Sequence, residues 1–224
     1  MFNLVIDAGH GGKDSGACGN GLKEKDINLK VALLLKEKLV PYKEKINCIL
    51  TREDDAFLEL SDRVNISDKN KANLFVSIHC NSAASNIAQG VETYCYNLNN
   101  NKGAKAIHDE LLKSKAYTVD RKVKQGNFYV IRKTQAHAVL VELGFISNEE
   151  DAKILKERQN DLAESILRGV LSYFNINYQE TNNKVSEDNF WRVCIGSYSS
   201  LENANKQKEN AISKGFKDAF IVKV

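Results

Sequence analysis

Two periodicities alternate along this chain, and together they leave few folds open. Short runs of β-forming residues are separated by longer stretches in which apolar side chains recur every three to four positions. Phe2–Asp7, Ile46–Thr51, Leu74–His79, Val91–Tyr96, Phe128–Arg132 and Ala138–Leu143 read as strands. Helices are expected over about 25–40, 58–72, 102–115, 148–157 and 161–174. In the first of these, Ile27, Val31, Leu34 and Leu35 share one side and Pro41 ends the run. Strands that alternate with helices build an α/β fold, a mostly parallel twisted sheet covered on both faces. Leu74–His79 is nearly continuous in apolar residues, which suits a central strand.

Charge divides the chain unevenly. Its 224 residues hold 32 Lys and Arg against 29 Asp and Glu, a net charge of +3. Residues 190–224 carry six basic and three acidic residues, so the whole excess sits in the tail. Such a small excess argues against a nucleic-acid partner or a membrane surface held by bulk attraction. No apolar run approaches the ~18 residues of a membrane helix. Met1-Phe2-Asn3-Leu4 opens without a basic n-region or a cleavage site, so the chain is expected to be made in the cytoplasm without a signal peptide and to act after release. Five cysteines, odd in number and scattered, fit free thiols rather than a disulfide framework. Residues 177–189 are polar and aperiodic and read as a linker.

In mostly parallel sheets, chemistry gathers at the carboxyl ends of strands. Three strand ends here carry reactive side chains: Asp7–His10, His79–Asn81 and Glu142–Gly144. His10, His79 and Glu24, which opens a helix, are a ligand set found in catalytic zinc sites that leave one position open. Taken singly, each has a plainer role: a turn residue, a core histidine, a helix N-terminal charge. Glu142 stands alone in Val-Leu-Val-Glu-Leu-Gly-Phe, where an unpaired carboxylate is costly to bury. It is either one half of a buried ion pair or a general base. Cys80 points away from His79 by strand alternation, His137 away from Glu142, and His108 reads as a surface residue of the helix after 101.

The run Asp7-Ala8-Gly9-His10-Gly11-Gly12-Lys13-Asp14-Ser15-Gly16-Ala17 resembles the opening of the zinc-dependent N-acetylmuramoyl-L-alanine amidases, the Amidase_3 family. So do Glu24-Lys25-Asp26-Ile27-Asn28-Leu29, Thr51-Arg52, Arg63, Ser77–Ser82, Gly90-Val91-Glu92 and Val141–Asn148, in family order. The resemblance implies a six-stranded sheet in a catalytic domain over 1–176. It implies one Zn²⁺ held by His10, Glu24 and His79, with Glu142 as the catalytic glutamate. The substrate it implies is peptidoglycan, cut between the lactyl group of N-acetylmuramic acid and L-alanine. Ala8 and Ser15 stand where the family often has Pro. The short stretches 82–90 and 96–101 leave little room for the blocking helix that some relatives carry, so an open groove is expected. Two other readings remain at this point, a zinc peptidase acting within the stem peptide and a wall-binding protein without activity.

Residues 190–224 form a β-α-β pattern: Trp191–Ile195, a helix over 200–214 stopped by Gly215, and 219–224. They resemble one half of the SPOR peptidoglycan-binding domain, whose members have two such halves. A unit this short sits below the ~40 residues that usually fold alone. The expectation is a homodimer through residues 190–224, with two tails rebuilding one wall-binding sheet.

Overall fold

The computed structural model describes residues 1–179, 196–216 and 219–221. These form two compact units, Met1–Tyr178 and Gln179–Val224. The first unit runs β1 (Phe2–Ala8), β2 (Cys18–Gly19), β3 (Leu22–Lys23), α1 (Glu24–Lys38), β4 (Ile46–Leu50), α2 (Leu60–Lys69) and β5 (Leu74–Asn81). It continues with β6 (Val91–Cys95), α3 (Lys102–Lys113), β7 (Asp120–Gln125), α4 (Tyr129–Lys133), β8 (His137–Phe145), α5 (Glu149–Glu157) and α6 (Gln159–Tyr173). Six strands make one sheet in the order β4-β1-β5-β8-β6-β7. The first four run parallel, β6 runs antiparallel to β8, and β7 runs parallel to β6. β2 and β3 form a separate small hairpin.

Strand alternation splits the core into two layers of unequal depth. Leu4 and Ile6 of β1, Val76 and Ile78 of β5, and Val139 and Val141 of β8 pack with α1, α3 and α6. The intervening Val5, Phe75 and Leu140 meet a smaller cluster with Val64 of α2 and Val130 and Ile131 of α4. His79, Glu142 and Glu92 have the same strand parity as this second set. They therefore belong to the face covered by the two short helices, close to where the strands end.

The mixed, mostly parallel six-stranded sheet is as expected, but one of its members differs. Phe128–Arg132 is not a strand. Tyr129–Lys133 is a single helical turn, and the sixth strand is β7, Asp120–Gln125. Phe-Tyr-Val-Ile has β propensity, yet Val130 and Ile131 bury together under the sheet, and tertiary packing overrides propensity. β7 is an edge strand of sequence Asp-Arg-Lys-Val-Lys-Gln. Polar residues protect such an edge and also remove the apolar run by which a strand is recognised.

His108 is also corrected. It is 3% exposed, bonded to Thr93 Oγ1 (3.0 Å) and Asp120 Oδ1 (2.8 Å), so it ties α3 to two strands. His137 lies exposed at the start of β8, beside Asn100 and Tyr173. Residues 82–90 form no helix, and 96–101 hold only one tight turn, Leu98–Asn100. Among the described residues, no helix is long and apolar enough to cross a membrane.

In the second unit, α7 (Leu201–Ser213) starts at Ser200, whose side chain accepts from the Asn203 N–H, and ends before Gly215 at φ 98°. The expected strand over 191–195 and most of the linker lie outside the described residues. Of the expected strand over 219–224, only 219–221 are described, and these carry no strand pairing.

Candidate metal centre and active site

The site begins with a strained loop. β1 ends at Ala8, and His10 follows in the left-handed region at φ 61°, uncommon for a residue with a side chain. Two arginines hold this shape. Arg52 donates to the Ala8 and Gly9 carbonyls (2.9 and 3.0 Å), and Arg63 to those of Ala8 and His10 (2.7 and 2.8 Å). Arg63 is itself fixed by Asp7 (2.8 Å), whose carboxylate also accepts from Thr51 and Ser77. Charged groups this buried are costly unless fully bonded, and here every partner is supplied. Gly9 is required by the packing, because a Cβ there would lie 2.3 Å from the His79 ring.

Three ligand-type side chains meet above this loop. Glu24 is the first residue of α1 and only 4% exposed. Its Oε1 lies 2.9 Å from His79 Nδ1 and 3.2 Å from His10 Nε2. Donors around a tetrahedral zinc with bonds of 2.0–2.1 Å are about 3.3 Å apart. The donor atoms of His10, Glu24 and His79 all lie within 4.8 Å of one another. The set is two imidazoles and one carboxylate with no lysine or arginine among them, so it fits zinc. Glu24 is further oriented by the N–H groups of Ala17 (2.8 Å, to Oε2) and Cys80 (3.0 Å, to Oε1).

Electrostatics follow from this crowding. Burial opposes the charged forms of all three groups, but their mutual hydrogen bonds win. Glu24 is held well below the usual carboxylate range by His10 and His79. His10 is pushed up to about 9 by Glu24 and Asp14, and His79 is also raised. Such a cluster holds its charges ready for a cation that replaces the protons.

The partner that orients His10 is Asp14. Its Oδ2 lies 2.7 Å from His10 Nδ1, which leaves Nε2 facing Glu24. Carboxylates behind ligating histidines set the tautomer in this way. The nearby polar residues Asp7, Ser77 and Asn81 spend their side chains on other partners. The missed signal was the spacing His10-x-x-x-Asp14 inside the Gly-rich turn.

Glu142 sits beside His79 in the β5–β8 register. Among the described residues it has no ion pair, and its Oε2 is buried without a hydrogen-bond partner. Burial pushes its carboxyl up to about 7, with Glu24 and Glu92 adding to the effect against His79 and His10. The ion-pair alternative is therefore not observed. Directly across the antiparallel pair lies Glu92, 2% exposed, and this carboxylate is saturated. It accepts from Asn81 Nδ2 (2.6 Å) and Tyr94 OH (2.6 Å) on one oxygen, and from Arg121 Nε (2.7 Å) and Lys124 Nζ (2.6 Å) on the other. Two carboxylates that neighbour each other across the sheet thus have opposite states, one paired and one alone. The sequence motif contained Glu92 but gave no sign of its cations.

Comparison with known proteins agrees with this geometry. The Amidase_3 profile, N-acetylmuramoyl-L-alanine amidase, matches residues 4–172, and the SPOR domain profile matches 136–223. Residues 136–172 fall within both matches and lie in the first unit. The chain is 35% identical over 231 residues to the sporulation-specific N-acetylmuramoyl-L-alanine amidase of Bacillus subtilis (strain 168), covering 100% of this chain and 86% of that protein. It is 41% identical over 186 residues to the endolysin of Bacillus phage SPP1, covering 79% and 68%. Among solved structures, the catalytic domain of CwlV from Bacillus (Paenibacillus) polymyxa var. colistinus superposes with a TM-score of 0.74 at 41% identity, covering 79% of this chain and 100% of that one. The fold, the grouped ligands and these matches lead to one assignment: the chain belongs to the Amidase_3 family of N-acetylmuramoyl-L-alanine amidases and carries a SPOR match toward its C-terminus.

Proposed function

We propose that His10, Glu24 and His79 hold one zinc ion and that Glu142 is the general base of the amidase. The enzyme hydrolyses peptidoglycan at the amide joining N-acetylmuramic acid to L-alanine. The observation that carries the site assignment is the convergence of three donor atoms beside a carboxyl whose Oε2 is buried without a partner among the described residues. Bound zinc supplies Lewis-acid polarisation and a more acidic water.

The protein's own residues account for the rest. Glu142, which burial raises in the metal-free protein, takes a proton from the attacking water. The same carboxyl then returns that proton to the leaving amine of L-alanine. Asp14 keeps the His10 Nδ1 proton in place, so Nε2 stays free to ligate. The loop 82–90, without a helix, supports a groove that is open without a partner.

The test separates base from ligand. Glu142→Gln should keep its zinc by elemental analysis and lose roughly 10²–10⁴-fold in activity. His79→Ala should lose both. Activity is read on purified walls as released L-alanine amino groups without new reducing sugars, which also tells an amidase from other wall hydrolases. Near-normal lysis by Glu142→Gln would reject the assignment.

The SPOR-like tail fits a wall-binding role. The finer reading is that two tails pair, making the enzyme a dimer on a repetitive polymer, where two linked sites gain avidity.

A further inference from the structure

Arg121 and Lys124 are three positions apart on β7. In a regular strand an odd separation puts two side chains on opposite faces. Here both reach the same oxygen of Glu92. The register explains how. Val91 pairs with Asp120 and Thr93 with Val123, so Glu92 alone faces two residues, Arg121 and Lys122. This is a β-bulge, and Lys122 absorbs it at φ 74°. Asp120 secures the distortion by accepting from the Lys122 N–H (2.8 Å), while its side chain is also held by buried His108. If these same residues alternated regularly, with no bulge, Arg121 would share a face with Val123, which packs into the opposite core layer.

The result is one buried carboxylate holding two cations, a local excess of positive charge one strand from Glu142. Arg121 spends only Nε on Glu92. Its terminal nitrogens have no partner among the described residues, its plane lies over Phe145 (4.8 Å), and its side chain is 33% exposed. A guanidinium pinned by its Nε and by an aromatic ring, with both terminal NH2 groups left over, is pre-organised to grip a carboxylate.

We infer that Arg121, supported by Lys124 and Glu92, is a substrate-anion subsite that binds a stem-peptide carboxylate on the leaving-group side of the cut. This rests on the amidase reading above. One residue beyond L-alanine, a glutamate linked through its side chain presents an α-carboxyl that is either free or amidated. The subsite selects the free acid.

The experiment uses the zinc-loaded full chain carrying Glu142→Gln, so that probes bind without turnover. Two synthetic N-acetylmuramoyl-L-alanyl-D-glutamate probes, both capped as an amide at the side-chain carboxyl, differ only in a free or amidated α-carboxyl. Calorimetry should show the acid binding roughly ten- to a hundred-fold more tightly, the range for a charged hydrogen bond. Adding Arg121→Ala should abolish that preference, and Arg121→Lys should restore part of it. Equal binding of the probes, no measurable binding of the acid, or a preference that survives Arg121→Ala would overturn the inference. So would a loss of affinity equal for both probes, which marks a merely structural arginine. Turnover by the unsubstituted chain is measured separately on both probes. If neither is cleaved while the Arg121-dependent preference stands, the amidase reading fails and the subsite remains.

Discussion

Glu142 is the residue at which function and stability oppose each other. Its carboxyl is raised from 4.5 to about 7 by burial. The folded metal-free protein therefore holds this proton more tightly than the unfolded chain does. Stability from this group is fully present below pH 4.5 and is lost as pH rises through 7. The penalty at pH 8 is up to about 3 kcal/mol. Glu142→Gln should remove it, so urea unfolding in a chelator should find the variant more stable than the parent at pH 8 and little different at pH 4. His10, His79 and Glu142 were legible as candidates in the sequence because each interrupts a Gly-rich turn or an apolar strand, where a polar side chain needs a reason. Their supports were not. Asp14 and Arg121 look like ordinary surface charges until the chain folds, and His108 lies on the face of α3 that Ala104, Ile107 and Leu111 bury, where its partners Thr93 and Asp120 come from other elements.

At the scale of the element, the bulge in β7 sets a strand apart from its sequence. Lys122 occupies the left-handed region, where a side chain costs of order 1 kcal/mol or more. Lys122→Gly should leave thermal stability unchanged or improve it by up to about 1 kcal/mol, while Lys122→Val should lower it by about 1–2 kcal/mol. Calorimetric melting distinguishes the two. The same element marks the limit of periodicity as a guide. β1, β5 and β8 bury both faces and announce themselves in apolar runs, whereas β7, at the edge, offers one inward apolar residue, Val123. The exchange of β7 for α4 left the strand count at six and hid the element that carries both cations.

The whole molecule divides at about residue 178 into a compact catalytic unit and a smaller one. The CwlV domain, matched along its full length, is a structure of such a unit alone. Truncation after residue 178 should therefore keep activity on soluble muropeptides and lose affinity for intact walls in a sedimentation assay. If tails pair, light scattering should give the full chain twice its 25.1 kDa and the truncated chain a single copy. A monomeric full chain would reject the dimer. One last consequence comes from where the ligands lie. His10 and His79 are 69 positions apart, so an ion gripped by both cross-links nearly a third of the chain into a closed ring. Closing a ring of that size with a disulfide would stabilise on the order of 4 kcal/mol through the unfolded state. A metal clip is reversible, and its contribution follows mass action, about 1.4 kcal/mol for each tenfold rise in free zinc above the dissociation constant. The melting temperature of the full chain should climb with free zinc and fall under chelation. On the proposed zinc site, a chain starved of the ion should lose its chemistry and its resistance to unfolding together.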